Sequence, residues 1–63
     1  MQRFYFTYRY GHKNYGGWIM AYAYNWRDAK FNYENIYGRD YLNFYEESLF
    51  HKEKHPRGEL GKI

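Results

Sequence analysis

Two stretches of this chain alternate residue by residue, and that alternation constrains the fold more than any other feature. Over residues 2–10, QRFYFTYRY, the side chains Phe4, Phe6, Tyr8 and Tyr10 fall on one side, with Arg3, Tyr5, Thr7 and Arg9 on the other. Over residues 17–24, GWIMAYAY, Trp18, Met20, Tyr22 and Tyr24 stand opposite Gly17, Ile19, Ala21 and Ala23. A period of two belongs to a β-strand, whose side chains point to opposite faces in turn. Between the stretches, Gly11-His12-Lys13-Asn14-Tyr15-Gly16 carries turn chemistry at both ends. The two stretches therefore read as an antiparallel hairpin.

Register follows from matching the faces, because a slip of one residue turns every side chain over. Paired residue numbers must sum to an odd value. A sum of 27 sets Phe4 beside Ala23, Phe6 beside Ala21 and Tyr8 beside Ile19, leaving a shallow face for a helix. On the other face it sets Arg3 beside Tyr24, Tyr5 beside Tyr22, Thr7 beside Met20 and Arg9 beside Trp18. Two of those four pairs join a guanidinium to an aromatic ring.

Asn25 suits a helix N-cap, with Asp28 three residues on, and Trp26, Ala29, Tyr33 and Ile36 or Tyr37 recur at helical spacing. Gly38 supplies a stop, so residues 26–37 are predicted to be helical. Residues 41–50 are ambiguous. Asp40 can cap a second helix, favoured by the continuation EESLFHKEK, but Tyr41-Leu42-Asn43-Phe44-Tyr45 is aromatic enough for a third strand. From His55 onward, HPRGELGKI has one Pro, two Gly and no periodicity. The predicted fold class is α+β: a hairpin followed by one or two helices, ββαα, with ββαβ as the alternative. A single domain over residues 1–54 and a flexible, disordered C-terminal tail over 55–63 complete the expectation.

Composition bears on function. Seventeen of the 63 residues are aromatic, ten of them Tyr, whereas Ile and Leu number six and Val is absent. A chain this short buries about 60% of the surface its unfolded form exposes. Not every ring fits inside, so rings are expected on the surface. Tyr, Trp and Arg are enriched at binding hot spots. Cysteine is absent, which excludes disulfides, a thiolate nucleophile and thiolate-ligated metals. No apolar run approaches the roughly 20 residues of a membrane span, and the expectation is a soluble, cytoplasmic protein without a membrane partner. The net charge of +3 is only mildly basic.

Candidates for catalysis are weak. Glu47, His51 and His55 would share one face of a helix at i, i+4 and i+8, but Lys52 and Lys54 would repel a cation, and Pro56 ends any helix near His55. Glu46 and Glu47 are adjacent and diverge by about 100° on a helix. Gly16-Gly17 precedes a strand, whereas a phosphate loop precedes a helix. No catalytic residue, metal ligand or cofactor is assigned, and a non-enzymatic protein is expected.

What remains is the Arg-aromatic face of the hairpin. Arg3, Tyr5, Arg9, Trp18, Met20, Tyr22 and Tyr24 are the candidate partner-binding residues. The partner expected is a protein, with a nucleic-acid-handling enzyme as one kind. The alternative is single-stranded nucleic acid on the same face, with Arg3, Arg9, Lys13 and Arg27 neutralising phosphates. A third reading has the face covered by the chain itself or by a second copy in a homodimer.

In length, in its Tyr/Asn/Lys-rich composition and in element order, seen in QRFYFTYRY…GGWIMAYAYNWRDAKF, the chain resembles small single-domain proteins encoded by phages and prophages. The resemblance implies an inhibitor that occupies a surface of a host enzyme or defence nuclease, as anti-CRISPR proteins do. Many such inhibitors are acidic DNA mimics, and the +3 charge departs from that pattern. It carries no motif, and no functional residue transfers with it.

Overall fold

The alternation over residues 2–24 folds as the hairpin it predicts, and the hairpin becomes the centre of a larger sheet. The computed structural model describes residues 1–63. In chain order the elements are β1 (Gln2–Thr7), β2 (Gly17–Ala23), α1 (Trp26–Tyr37), β3 (Asn43–Glu46) and β4 (Gly58–Lys62). Two single-turn 3-10 helices, Glu47–Leu49 and Lys52–Lys54, lie between β3 and β4. The fold is α+β, with one helix and a four-stranded mixed sheet ordered β3-β1-β2-β4. β1 runs antiparallel to both neighbours, and β2 and β4 are parallel.

The hairpin ladder pairs Phe4 with Ala21, Phe6 with Ile19, Arg3 with Tyr22 and Tyr5 with Met20. Its residue numbers sum to 25, not the predicted 27. A shift of two residues preserves both faces and changes only the neighbours. The cause lies in the connection, where His12 N–H bonds to Arg9 O, Tyr15 N–H to His12 O and Gly17 N–H to Asn14 O. These turns draw residues 8–10 out of β1, so the ladder closes earlier than the alternation suggests.

Helix α1 begins and ends where the sequence predicts. The Asn25 side-chain oxygen accepts from Asp28 N–H at 2.9 Å, and Gly38 leaves the helix at φ 70 while its N–H bonds to Glu34 O. The helix buries Ala29 and Tyr33 against Phe4, Phe6, Tyr8, Ile19, Ala21 and Ala23. Ala29 permits the close approach, and the Tyr33 ring stacks on Phe6 with centroids 4.2 Å apart.

Two expectations are corrected. Residues 41–50 form no second helix; Asn43–Glu46 take the open edge of β1, with Phe44 beside Phe6 and Tyr45 beside Tyr5. Helix propensity in EESLFHKEK yields to this pairing, because ladder bonds and ring packing outweigh a few tenths of a kcal/mol per residue. Residues 55–63 are not a disordered tail, and the folded unit extends beyond residue 54. Arg57 N–H bonds to Gly16 O, Ile63 N–H to Met20 O and Tyr22 N–H to Ile63 O, tying this segment along β2. Two glycines make the approach possible. A Cβ on Gly17 would lie 2.7 Å from Leu60 side-chain carbons, and one on Gly61 would lie 3.1 Å from Ile19 Cδ1.

β2, β3 and β4 all point the same way, so both β2-to-β3 and β3-to-β4 are crossovers. The first passes over one face of the sheet as α1. The second passes over the opposite face as the segment 47–57, which we call the strap. Reversing direction and changing face each invert the hand, so the two crossovers share one hand. No helix is long and apolar enough to cross a membrane.

Candidate functional site

The strap decides what the outer hairpin face can do. Phe50 stacks on the Tyr5 ring with centroids 4.4 Å apart and planes 8° from parallel. Trp18 meets Tyr5 edge-on at 6.1 Å and Phe50 edge-on at 5.2 Å, and His55 stacks on the far side of this group, 5.0 Å from Phe50. Tyr5, Trp18 and Met20 are buried as a result. These three candidate binding residues are therefore core residues of a second, smaller cluster and cannot contact a partner in this fold. The physical reason is the crossover: a chain that must travel from β3 to β4 has to lie across this face, and Phe50 is its apolar anchor. Burial raises the Tyr5 phenol pKa, and its hydrogen bond to Glu47 at 3.1 Å raises it further. Burial lowers that of His55. Trp18 Nε1 is buried without a hydrogen-bond partner.

The remainder of the face stays open. Arg3 lies over the Tyr22 ring, 5.4 Å from its centroid, and also reaches Glu47 at 3.5 Å. Tyr22 and Tyr24 are 45% and 73% exposed. The chain then turns into α1, where Trp26 and Phe31 are 50% and 65% exposed. Arg27 covers the Trp26 ring at 5.3 Å, and Trp26, Arg27, Lys30, Phe31 and Glu34 line a shallow hollow of about 310 Å³. Four exposed rings thus fall within the ten residues Tyr22–Phe31, accompanied by Arg3, Arg27 and Lys30. Trp26 and Phe31 were not among the candidate binding residues. For Phe31 the signal was present: it sits two positions from both Ala29 and Tyr33, about 200° around the helix from the buried stripe.

The hairpin connection forms the opposite end of the molecule. Tyr33 donates to Asp40 O at 2.8 Å, so the 2.7 Å contact between the Tyr8 and Tyr33 hydroxyls has Tyr8 as donor. Both phenols are buried, and desolvation pushes both pKa values up. His12 Nδ1 accepts from Asn14 N–H at 3.0 Å. The ring proton therefore sits on Nε2 and is donated to Asp40 at 2.8 Å. Both imidazole nitrogens are engaged, which leaves no lone pair free for general-base work.

Of the four residues expected to meet phosphates, Arg3 and Arg27 lie on the sheet-and-helix end, and Arg9 and Lys13 on the connection end. They do not line one groove. Glu47, His51 and His55 do not share a helical face, because the segment forms two separate turns; His51 contacts Glu53 at 3.3 Å and His55 packs on Phe50. No group of three or more His, Asp or Glu residues is placed to hold a metal ion. No family model, curated protein or solved structure matches this chain.

Proposed function

We propose that this chain is a non-enzymatic binding protein that docks on an acidic surface of a partner protein through the corner where β2 passes into α1. One observation carries the reading. With α1 and the strap each covering part of one sheet face, Tyr22, Tyr24, Trp26 and Phe31 remain exposed in one short run, with guanidinium groups laid over two of the rings. Rings with few rotatable bonds bury large area at low entropic cost, and arginines set orientation and on-rate. The resemblance to small phage proteins supports an inhibitor that works by occupying a surface of a host or defence enzyme.

The test is affinity capture from the native host with nuclease treatment, repeated with Trp26→Ala and Phe31→Ala. Both rings are half or more exposed, so the variants keep the fold. Each is expected to weaken binding of the captured protein by about 2 kcal/mol, the cost of removing a hot-spot ring. A partner retained equally by both variants would refute docking at this corner.

A further inference from the structure

We propose that the hairpin-connection end of the molecule is a binding site for single-stranded nucleic acid, separate from the protein-docking corner at the other end of the sheet. The two ends are defined by the ladder: residues 8–16 close the hairpin beyond Thr7 and Gly17, whereas Tyr22 and Tyr24 lie at the far end of β2. Two hollows flank the connection. One, of about 340 Å³, is bordered by Arg9, Arg39, His12 and Asp40. The other, of about 320 Å³, is bordered by Tyr15, Lys54, His55 and Arg57, and no acidic residue lines it. Tyr15, on the border of the second hollow, meets Tyr10, 83% exposed, in edge-to-face contact at 5.3 Å.

Arg9, Lys13, Arg39, Lys54 and Arg57, half of the ten Lys and Arg in the chain, gather at this end. Four carboxylates lie near them: Asp40 is tied to the His12 ring, Glu34 lies 3.8 Å from Arg39, Glu53 contacts His51, and Glu59 stands beside Trp18 in β4. Arg9, Lys13, Lys54 and Arg57 form no ion pair with any of them. Arg57 is fixed in place. One of its terminal nitrogens donates to Lys13 O at 2.6 Å and to Tyr15 O at 3.2 Å, and its stem lies 3.5 Å from where a Cβ on Gly16 would stand. The guanidinium is thereby held by carbonyls, without a carboxylate partner, at the border of the second hollow. Cations flanking a pair of open rings are what a single strand requires: phosphates meet the charges and unstacked bases lie on the rings. A duplex offers no free base faces, so the Tyr10–Tyr15 pair favours the single strand. With Arg39 shared with Glu34, Arg9, Lys13, Lys54 and Arg57 are left to meet about four phosphates, the lower end of the range for small folds.

The experiment is fluorescence anisotropy with labelled oligothymidylate of about ten nucleotides, from 50 to 200 mM salt. Neutralising about four phosphates gives a log–log salt slope near −2.8 and a loss of about 50-fold over that range. Lys13→Glu with Lys54→Glu is expected to weaken binding at least tenfold and to flatten the slope to about −1.4. Both lysines are exposed, and near-UV circular dichroism confirms the fold of the variant. Tyr10→Ala is expected to weaken binding about tenfold at every salt concentration with the slope unchanged. Arg27→Glu, at the opposite end, leaves affinity within twofold. Absence of binding at 50 mM salt, an unaffected lysine double variant, or equal affinity for a duplex of the same length would each overturn the proposal.

Discussion

Removing the hydroxyl of Tyr33 and removing that of Tyr8 should have unequal costs, although the two groups share one hydrogen bond. Tyr33 gives its proton to Asp40 O and accepts one from Tyr8. In Tyr8→Phe only that shared bond is lost, and Tyr33 keeps Asp40; a neutral bond contributes about 1 kcal/mol. In Tyr33→Phe the Tyr8 hydroxyl loses its acceptor inside the core, and an orphaned buried donor costs about 1–3 kcal/mol more. The bond to Asp40 O is lost as well; Asp40 is exposed, so water takes its place and the cost is the net value of a neutral bond, about 1 kcal/mol. The expected losses are about 1 kcal/mol for Tyr8→Phe and about 3–5 kcal/mol for Tyr33→Phe. A 63-residue fold has about 3–9 kcal/mol in all. The sharper expectation concerns the double variant. In the Tyr33→Phe background, Tyr8→Phe deletes the orphan and should be neutral or stabilising. Urea denaturation of the four proteins, followed by tryptophan fluorescence, measures the cycle. Equal single losses, or a double variant less stable than Tyr33→Phe by 1 kcal/mol or more, would refute the assigned direction of the bonds.

Alkaline pH should unfold the protein cooperatively. Tyr5, Tyr8, Tyr33 and Tyr41 all have folded-state pKa values raised above 10, chiefly by burial. Above pH 10 the unfolded chain therefore binds fewer protons than the folded one, and stability falls as pH rises. Tyr33, the phenol pushed up furthest, alone removes up to about 1.4 kcal/mol per pH unit there, and the other three add to the loss, so phenolate absorbance and near-UV ellipticity should change together in one step. Independent transitions would count against a shared core. Gly17→Ala should detach β4, because the new methyl meets both the Leu60 side chain at 2.7 Å and Gly58 O at 2.9 Å; hydrogen exchange at Ile63 and Tyr22 should accelerate, with a loss of about 1–3 kcal/mol. Phe50→Ala should release the strap at a cost of about 2–4 kcal/mol and shift tryptophan emission to the red as Trp18 meets water. An unshifted spectrum would mean that the strap holds without its anchor.

The central hairpin and α1 are legible in the sequence because each is specified locally. Alternation defines β1 and β2, and Asn25 and Gly38 bound the helix. β4 is not legible. Gly58 and Gly61 read as breakers, yet Gly61 is required by Ile19 and Gly17 by Leu60, about forty residues away. The candidate site divides along the same line. Tyr5, Trp18, Tyr22 and Tyr24 carry the same chemistry on the same side of the hairpin. Which of them reaches solvent depends on where the strap crosses, and EESLFHKEK, polar and rich in helix formers, gives no sign that it will lie flat on a sheet with Phe50 beneath it. Trp26 and Phe31 are hidden for the converse reason: aromatic residues in an amphipathic segment pass for core until the buried stripe is known.

The strand order has a kinetic consequence. The hairpin, whose partners are close in sequence, occupies the middle of the sheet, while both outer strands come from positions some forty residues downstream. An early hairpin would therefore stand with two unpaired edges and two uncovered aromatic faces until distant segments arrive. High contact order slows that arrival, and bare edges invite association with other chains. Refolding of this small protein should for that reason be limited by loop closure and become less efficient as its concentration rises.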